Sequence, residues 1–483
     1  MPNVLAIDQG TSSTKAVVVD GGGAVIGAGT APVEVMFGAG GAAEADPEAL
    51  LGSVVAAGRA AIADAGQPVA AVAIGNQGET VLRWDRATGA PCGPALSWQD
   101  RRAETVTRRL ADRGAQLTAI TGLPLDPYFA APKLAWLQEQ GGAAPGQAVT
   151  TIDAWVTSRL TGACVTDAAT ASRTLLLDLD AVDWSPDACA AFGLDPGGQP
   201  DIVGCAEPVG ETDAFGPRLP VCGLIVDQQA ALLAERCFAP GDAKCTFGTG
   251  AFVLAPTGEA PVRSTAGLAA CVAWRAGGRT TYCHDGQVYA AAAAVDWLAD
   301  LGLLASAPQV DAVVAGAGGG VTFVPALSGL GAPFWQPQAR GAWLGLSLAA
   351  TTGDLVRAVL EGVAAHVAVI VAGIAADAGQ PLRRLRVDGG LARSEALLQI
   401  QADLLQVPVE RYPSADATAM GIAALARLGA GLAPSLAAAA PAWEPDTVVE
   451  PRISADEAAE RLARFRAAVD AVAGLEPRAA PAR

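Results

Sequence analysis

The strongest constraint on the fold is a strand–turn–strand pattern that occurs at the start of the chain and again at its middle. Near the start, an apolar run ends in Asp8 and leads through Gly10 and a cluster of hydroxyl side chains to the apolar run Ala16–Val19. The segment 244–250, KCTFGTG, is followed by an apolar run in the same way. β-rich runs around a glycine turn predict a hairpin in each place. We therefore predict two similarly built α/β halves with a cleft between them.

The first turn has two interpretations. It combines an acid, Asp8, with a glycine and four hydroxyl side chains, the residue types of a Mg²⁺-phosphate site. An ordinary hairpin with a polar turn has the same pattern, and the turn alone favours that interpretation. Further along, the predicted strand 385–388 ends in Asp388 before two glycines and a helix starting near Ser394. A strand, a glycine pair and a helix N-terminus are typical of a nucleotide-binding site.

Polar residues also follow two other predicted strands. Val69–Ile74 leads into the polar run 75–80, and the strand 220–226 leads directly into Asp227. Open α/β sheets usually bind ligands at these C-terminal strand ends. An acid between a strand and a helix suits both an N-cap and a catalytic base, and the position of Asp227 taken alone favours the N-cap.

Two aromatic residues have open interpretations. Trp98 precedes four polar or charged residues, so it is equally a half-buried strand edge or a platform for a sugar or polyol. Tyr128 begins an apolar helical segment, and the general burial of aromatic side chains favours a place in the core.

Composition excludes several classes of partner and site. The net charge is −17, which opposes binding to nucleic acid or an anionic membrane. Nine scattered cysteines and two histidines predict reduced thiols in a cytoplasmic protein rather than a zinc site. The apolar stretch 362–375 is too short to span a membrane and predicts a buried helix. The chain begins in a strand, so we also expect no signal peptide.

Two common nucleotide-binding motifs are absent from the sequence. The three lysines, Lys15, Lys133 and Lys244, follow Thr14, Pro132 and Ala243, so none belongs to a Walker P-loop. No Gly-x-Gly-x-x-Gly opens a helix after the first strand, which argues against Rossmann and protein-kinase folds.

The order of motifs resembles that of the FGGY carbohydrate kinases, and within them most closely the glycerol kinases. About 430 residues share the resemblance, which rests on these segments: IDQGTSSTK at 7–15, NQGETVLRWD at 76–85, SWQDRR at 97–102, TGLPLDPYF at 121–129, TDAATASRT at 166–174, DQQAAL at 227–232, FGTGAF at 247–252, VPALSGLGAPFW at 324–335, ARGAWLGL at 339–346 and VDGGLARSEALLQIQAD at 387–403.

The resemblance implies an α/β protein with two actin-like, ribonuclease-H-like domains that close over ATP and substrate. We expect the first domain, 1–237, to carry the substrate and phosphate side and the second, 238–475, the ATP side. The expected cofactors are ATP and Mg²⁺. The expected partners are a small polyol or sugar and a second copy of the chain in a homodimer, with no nucleic acid and no membrane.

The resemblance also implies roles for individual residues. Asp227 would be the general base that takes the substrate hydroxyl proton, and Asp8 would help hold Mg²⁺. The residues expected to meet ATP are Thr11, Ser12, Ser13, Lys15, Thr249, Gly389, Gly390 and Ser394, with Lys15 replacing an arginine of the glycerol kinases. The residues expected to line the polyol pocket are Gly78, Glu79, Trp98, Tyr128, Asp227, Gln228 and Phe252.

One position departs from the family pattern. Glycerol kinases have an arginine that donates to glycerol hydroxyls where this chain has Gly78. We expect phosphorylation of a terminal hydroxyl of glycerol or a closely related polyol, with Arg101, Arg102 or water in place of the missing donor. The alternative is a longer substrate, a tetritol or a pentulose, in the freed volume. A non-catalytic actin-like binding protein is a remote alternative, because Asp8 and Asp227 are both present.

Overall fold

The computed structural model describes residues 2–141, 146–316, 318 and 320–473, which form two large mixed sheets with helices packed against them. The first sheet has six strands, in the spatial order Gly210–Thr212, Leu219–Val226, Val69–Asn76, Asn3–Gln9, Ser13–Val19 and Val25–Pro32. The second sheet has seven strands, in the spatial order Ala269–Ala276, Arg279–Val288, Ala251–Gly258, Lys244–Phe247, Leu385–Asp388, Val409–Arg411 and Thr447–Val449.

The two predicted hairpins hold the same place in their sheets. Asn3–Gln9 pairs antiparallel with the next strand and parallel with Val69–Asn76. Lys244–Phe247 likewise pairs antiparallel with the next strand and parallel with Leu385–Asp388. The repeated pattern of the sequence therefore corresponds to a repeated sheet topology, with each glycine turn at the C-terminal end of a parallel strand pair.

Side-chain alternation along the first strand covers both faces of its sheet. Leu5 and Ile7 pack with the helix Pro47–Ala65, whose N-cap is Asp46 as the sequence predicts. Val4 and Ala6 point the other way, into a core that includes the helix Ala417–Gly429. Because successive residues of a strand face opposite sides, one apolar run fills two cores.

The helix Ala417–Gly429 connects the two parts of the chain. It follows the second sheet in sequence but packs against the first sheet and against the helix Asp227–Ala234. The predicted domain boundary at 237/238 stays a prediction, and residues 474 and 475 of the predicted second domain lie outside the described residues.

The second sheet is covered by a long helix, Thr352–Ala378. Thr351 and Asp354 form a capping box at its N-terminus. The apolar stretch 362–375 belongs to this longer helix, so the expectation that it is too short to span a membrane is wrong: the helix is long and apolar enough. However, 78% of its most apolar window is buried inside the protein, as in the core helix of many folded domains. The prediction of a buried helix at 362–375 is confirmed, and all nine cysteines are free thiols.

Shorter elements complete the described chain. The remaining strands are Met36–Phe37, Ala43–Ala45, Val81–Asp85, Ala95–Leu96, Gln147–Thr151, Val165–Asp167, Leu177–Asp178, Asp183–Trp184, Asp201–Val203, Thr322–Val324 and Ala342–Leu344. The remaining α-helices are Glu104–Arg109, Gly114–Thr121, Ala130–Gly141, Ile152–Thr161, Ala168–Ala171, Pro186–Ala191, Ala292–Asp300, Val310–Val314, Glu395–Leu405, Leu436–Ala439 and Ala455–Ala473. Short 3₁₀ turns lie at Ala39–Gly41, Ala111–Arg113, Pro196–Gly198, Ala307–Gln309 and Gly390–Arg393.

Candidate active site

A pocket of about 720 Å³, counted with its open mouth, lies between the two halves. The first half supplies most of its wall: Thr11, Ser12, Gln77, Gly78, Glu79, Trp98, Tyr128, Arg173, Val226, Asp227, Gln228 and Gln229. The second half supplies Thr246, Gly248, Thr249, Phe252 and Asp285. The turns of both repeated hairpins therefore reach one cavity.

Asp227 lies at the junction of a buried strand and a helix. The strand ends at Val226, which occupies the N-cap position, and Asp227 is the first helical residue. The interpretation of Asp227 as an N-cap is therefore wrong. Its Oδ1 accepts a hydrogen bond of 2.7 Å from the Gln228 N–H, and the side chain reaches the pocket. Burial and the nearby Glu79 raise the pKa of Asp227 to about 6, while Lys244 opposes the shift.

The first glycine turn presents hydroxyl groups to the same pocket. The Gly10 N–H donates to the Ser13 carbonyl at 3.1 Å, which closes the turn. Thr11 and Ser12 line the pocket, and the Trp98 indole N–H donates to Thr11 Oγ1 at 2.9 Å. Of the four hydroxyls in this turn, Thr14 is directed away, because its Oγ1 bonds to Ser53 Oγ at 2.6 Å in the core.

Asp8 lies opposite Lys15 across the first hairpin. Burial raises the pKa of Asp8 to about 7, with further contributions from Asp227, Asp388 and Asp416, and Lys15 acts against them. The carboxylates around Asp8 create a local negative field, which favours a bound cation. Within the described parts of the chain, no three His, Cys, Asp or Glu side chains come together in a metal-binding group.

Three aromatic rings form one wall of the pocket. Trp98 meets Tyr128 edge-to-face with centroids 5.9 Å apart, and meets Phe252 in the same way at 6.0 Å. Tyr128 is 4% exposed, so it is a core residue as predicted, and it also lines the cavity. Trp98 is half-buried and lines the cavity, but it lies in a turn beyond the strand Ala95–Leu96 and not on the strand edge. Its role as a platform for a sugar or polyol stays a prediction.

A buried ion-pair cluster forms the floor of the pocket. The Arg173 guanidinium bonds through Nε to Glu79 Oε1 at 2.6 Å and pairs through Nη1 with Asp285 Oδ2 at 2.5 Å. Burial raises the pKa of Glu79 and of Asp285, and the positive charge of Arg173 opposes both shifts. Glu79 has a φ of 58°, in the left-handed region that residues other than glycine rarely adopt. Such strain is typical of functional sites.

Lys244 is a buried cation that connects the halves beside this floor. Its Nζ donates to Gln228 Oε1 at 2.6 Å and to Thr246 Oγ1 at 2.7 Å. The positive charge acts to lower the pKa of Asp227, Asp285 and Asp388. Lys244 therefore helps to keep several buried carboxyl groups ionised.

The predicted nucleotide side is more dispersed. Gly389 has a φ of 92°, and a Cβ there would lie 2.5 Å from the Phe247 carbonyl oxygen, so only glycine fits. A Cβ at Gly390 would meet nothing within 4 Å, which leaves open space beside this turn. Ser394 is buried and caps its own helix, and its Oγ bonds to Asp311. Asp311 also accepts the Glu395 and Ala396 N–H groups, so a carboxylate already occupies this helix N-terminus.

The structure brings together all seven predicted polyol residues and three of the predicted ATP residues, Thr11, Ser12 and Thr249. It does not bring Asp8, Ser13, Lys15, Gly389, Gly390 and Ser394 into the wall of this pocket.

Sequence reasoning missed Arg173, Lys244 and Asp285. Arg173 lies inside the motif at 166–174, and this position was the one signal in the sequence that could have marked Arg173 as a site residue. The two arginines proposed to replace the missing donor do not line the pocket. Arg101 pairs with Asp126, and Arg102 with Asp100 and Glu44.

Comparison with known proteins identifies the family. The N-terminal domain model of the FGGY family of carbohydrate kinases matches residues 3–234, and its C-terminal domain model matches residues 243–430. This chain belongs to the FGGY family of carbohydrate kinases.

Relatives and solved structures agree with this placement over nearly the whole chain. The chain is 40% identical to the glycerol kinase of Aromatoleum aromaticum (98% of this chain, 99% of the relative) and 39% identical to that of Myxococcus xanthus (97% and 98%). The crystal structure of Plasmodium falciparum glycerol kinase with ADP matches at 28% identity with a TM-score of 0.88 and covers 99% of both chains. Xylulose kinase from Lactobacillus acidophilus, at 20% identity and a TM-score of 0.89, shows the same fold.

The protein is thus an ATP-dependent carbohydrate or polyol kinase with the two-domain α/β fold of its family. The remote alternative, a non-catalytic actin-like binding protein, is set aside, because the matched domains and the relatives are kinases of the same length.

Proposed function

We propose that this kinase transfers the γ-phosphoryl group of ATP to a terminal hydroxyl of glycerol. One observation carries the proposal: side chains from several separate segments meet in one pocket. The pocket combines Asp227 as the candidate base, carboxylate and amide groups that can accept hydrogen bonds from substrate hydroxyls, and an aromatic wall. The extended similarity to glycerol kinases supports the choice of a three-carbon polyol.

In the proposed reaction, the Asp227 carboxylate accepts the proton of the attacking hydroxyl. The hydroxyl oxygen forms a bond to the γ-phosphorus, and the bond from phosphorus to the bridging oxygen breaks, which leaves ADP. Because the pKa of Asp227 is about 6, its carboxylate is mostly ionised at neutral pH and is still basic enough to hold the proton. Thr11, Ser12 and Thr249 supply hydroxyl groups where phosphate oxygens are expected.

Mg²⁺ fits the electrostatics around Asp8. The pKa of Asp8 is raised by burial and by three other carboxylates, so a divalent cation there would relieve their repulsion. Asp8 would hold the ion, directly or through water, and the remaining ligands would be phosphates and waters, as is usual for Mg²⁺ in phosphoryl transfer. When bound, the ion neutralises charge on the phosphate oxygens.

The predicted ATP contacts at Ser13, Lys15, Gly389, Gly390 and Ser394 also belong to this proposal. The open space beside Gly390 supports an approach of the nucleotide there. At Ser394 the support is weaker, because the hydroxyl and the helix N-terminus already have protein partners.

A second candidate function is phosphorylation of a longer polyol or a ketose. Gly78 favours it, because this position in the pocket wall has no side chain. One measurement distinguishes the two candidate functions: kcat/KM of the purified protein with MgATP and each of glycerol, erythritol, five-carbon polyols and pentuloses. We expect glycerol to have the highest value. A four- or five-carbon substrate that exceeds glycerol tenfold would favour the second candidate.

A cytoplasmic location and a homodimer are also part of the proposal. Nine free thiols favour a reducing compartment. Light scattering on the purified protein would give the number of copies in the assembly.

A further inference from the structure

Arg173 enters the pocket from a firmly anchored segment. The short helix Ala168–Ala171 before it is capped by Asp167, which accepts the Ala169 N–H at 2.8 Å. Ser172 Oγ accepts the Val272 N–H at 2.9 Å, which fastens the segment to the second sheet. The chain that leads to Arg173 is thus held at the start of the short helix and again at Ser172.

The guanidinium itself is held on several sides. Nε and Nη1 bond to Glu79 and Asp285, and the carbon of the guanidinium lies 5.2 Å from the ring centroid of Phe129 and 5.7 Å from that of Tyr128. Arg173 is 3% exposed. A planar group held by two carboxylates and two rings has little rotational freedom, so little entropy is lost when it binds a further partner.

One side of this guanidinium has donors to spare. Nη2 has no hydrogen-bond partner among the described residues. It is also not fully buried, and because Arg173 lines the pocket, Nη2 is accessible from there. The second carboxylate oxygen of Glu79, Oε2, likewise has no hydrogen-bond partner among the described residues and is not fully buried, while Oε1 accepts from Arg173 Nε. The pocket therefore holds a donor and an acceptor side by side.

Within the described pocket wall, Arg173 is the only basic side chain. Lys244 is nearby, but its Nζ is bonded to Gln228 and Thr246. The charges of Glu79, Asp285 and Arg173 sum to −1, which suits a neutral hydroxyl compound better than an anionic acceptor. A hydroxyl can accept from Nη2 and donate to Oε2 at the same time.

We propose that Arg173 is a specificity-determining residue whose Nη2 donates to a non-reacting hydroxyl of the bound polyol, while that hydroxyl donates to Glu79. Arg173 thus supplies the cationic donor that position 78, a glycine, cannot. This inference rests on the proposed function, because it requires a polyol in the pocket. It also assigns the ion pair a binding role in addition to its structural one.

The test is Arg173→Lys, which keeps the charge but loses the planar fork. Its matched control is Arg102→Lys, because Arg102 also pairs with two carboxylates and stacks on an aromatic ring but lies outside the pocket wall. We expect Arg173→Lys to lower kcat/KM for glycerol about ten- to a hundredfold, mainly through KM. Arg102→Lys should change KM less than threefold.

Two substrate analogues separate a binding role from a structural one. Propane-1,2-diol and propane-1,3-diol each lack one hydroxyl of glycerol. If Nη2 binds a particular hydroxyl, the effect of Arg173→Lys should vanish for the analogue that lacks it and persist for the other. Equal losses on all three compounds would overturn the inference, because a distorted pocket affects every substrate alike.

Two further outcomes are distinguishable. If the wild type phosphorylates no three-carbon polyol, the proposed function fails, and the same comparison is made with its best substrate and the deoxy analogues of that substrate. If Arg173→Lys does not fold, the wild type is tested with fluorine in place of each non-reacting hydroxyl, since fluorine accepts but cannot donate. We then expect one fluoro analogue to bind several-fold better than the matching deoxy compound, and equal binding at every position would overturn the inference.

Discussion

Gly78 is the residue at which this kinase departs most clearly from the pattern of its family. A Cβ at this position would lie 3.0 Å from Val226 Cγ2, so a side chain there must displace Val226 by a few tenths of an ångström. Val226 directly precedes Asp227, so the displacement acts close to the base. A glycine at position 78 thus enlarges the pocket and leaves Val226, the residue before the base, in its place.

We predict that Gly78→Arg changes the substrate ranking. The added side chain fills volume that a longer substrate needs, so kcat/KM for four- to six-carbon polyols should fall about ten- to a hundredfold relative to glycerol. Gly78→Ala is the matched control, since it introduces the contact with Val226 without the long side chain. An unchanged ranking in Gly78→Arg would mean that position 78 does not face the substrate.

The sequence predicted some residues of the site better than others. Residues inside recognisable motifs, such as Glu79 and Asp227, were assigned to the pocket and line it. The charged partners of these residues were not assigned to the site. Arg173 is separated from Glu79 by 94 residues, and Lys244 is fully buried, which is unusual for a lysine. Long-range ion pairs in a core leave no periodic signal in a sequence.

At the scale of elements, the strand Lys244–Phe247 and the helix Asp227–Ala234 are coupled through one buried charge. Lys244 bonds to Gln228 of the helix and acts to lower the pKa of Asp227. The base must be deprotonated to work, so a higher pKa of Asp227 would mean that activity is lost at a higher pH.

We predict that Lys244→Met moves the acidic limb of the pH profile upward from about 6, the pKa of Asp227. The measurement is kcat/KM from pH 5 to pH 9. Thr246→Val is the control, because it removes one hydrogen bond of Lys244 and keeps the charge. If the acidic limb of Lys244→Met coincides with that of the wild type, Lys244 does not tune the base.

The hairpins and the first helix were predictable from local pattern, because alternation and an Asp-Pro start are short-range signals. The helix near Ser394 shows the limit of such reasoning. Its N-terminus was expected to be free for a nucleotide, but Asp311, distant in sequence, accepts its N–H groups. A helix start can be located from the sequence, whereas its occupant depends on tertiary packing.

At the scale of the whole molecule, the pocket depends on the relative position of the two halves. Residues such as Asp227 and Phe252 come from opposite sides of the cleft. The repeated topology was predictable from the two hairpin sequences. The packing of the helix Ala417–Gly429 against the first sheet was not, because an apolar helix carries no information about which sheet it covers.

We predict that the cleft closes when both substrates bind, since a closed cleft excludes water from the reacting phosphate. Small-angle scattering should give a smaller radius of gyration with glycerol and a non-hydrolysable ATP analogue together than with neither. Samples with glycerol alone and with the analogue alone show which ligand drives closure. Identical radii in all four samples would count against a closing cleft.

The role of Asp227 is the central claim, and Asp227→Asn tests it most directly. The variant keeps the shape of the side chain but cannot accept the hydroxyl proton. We predict that kcat with glycerol and MgATP falls about 10²–10⁴-fold, the usual contribution of a general base, while the affinity for ATP is unchanged. A kcat near that of the wild type would contradict the assignment of the base and the mechanism built on it.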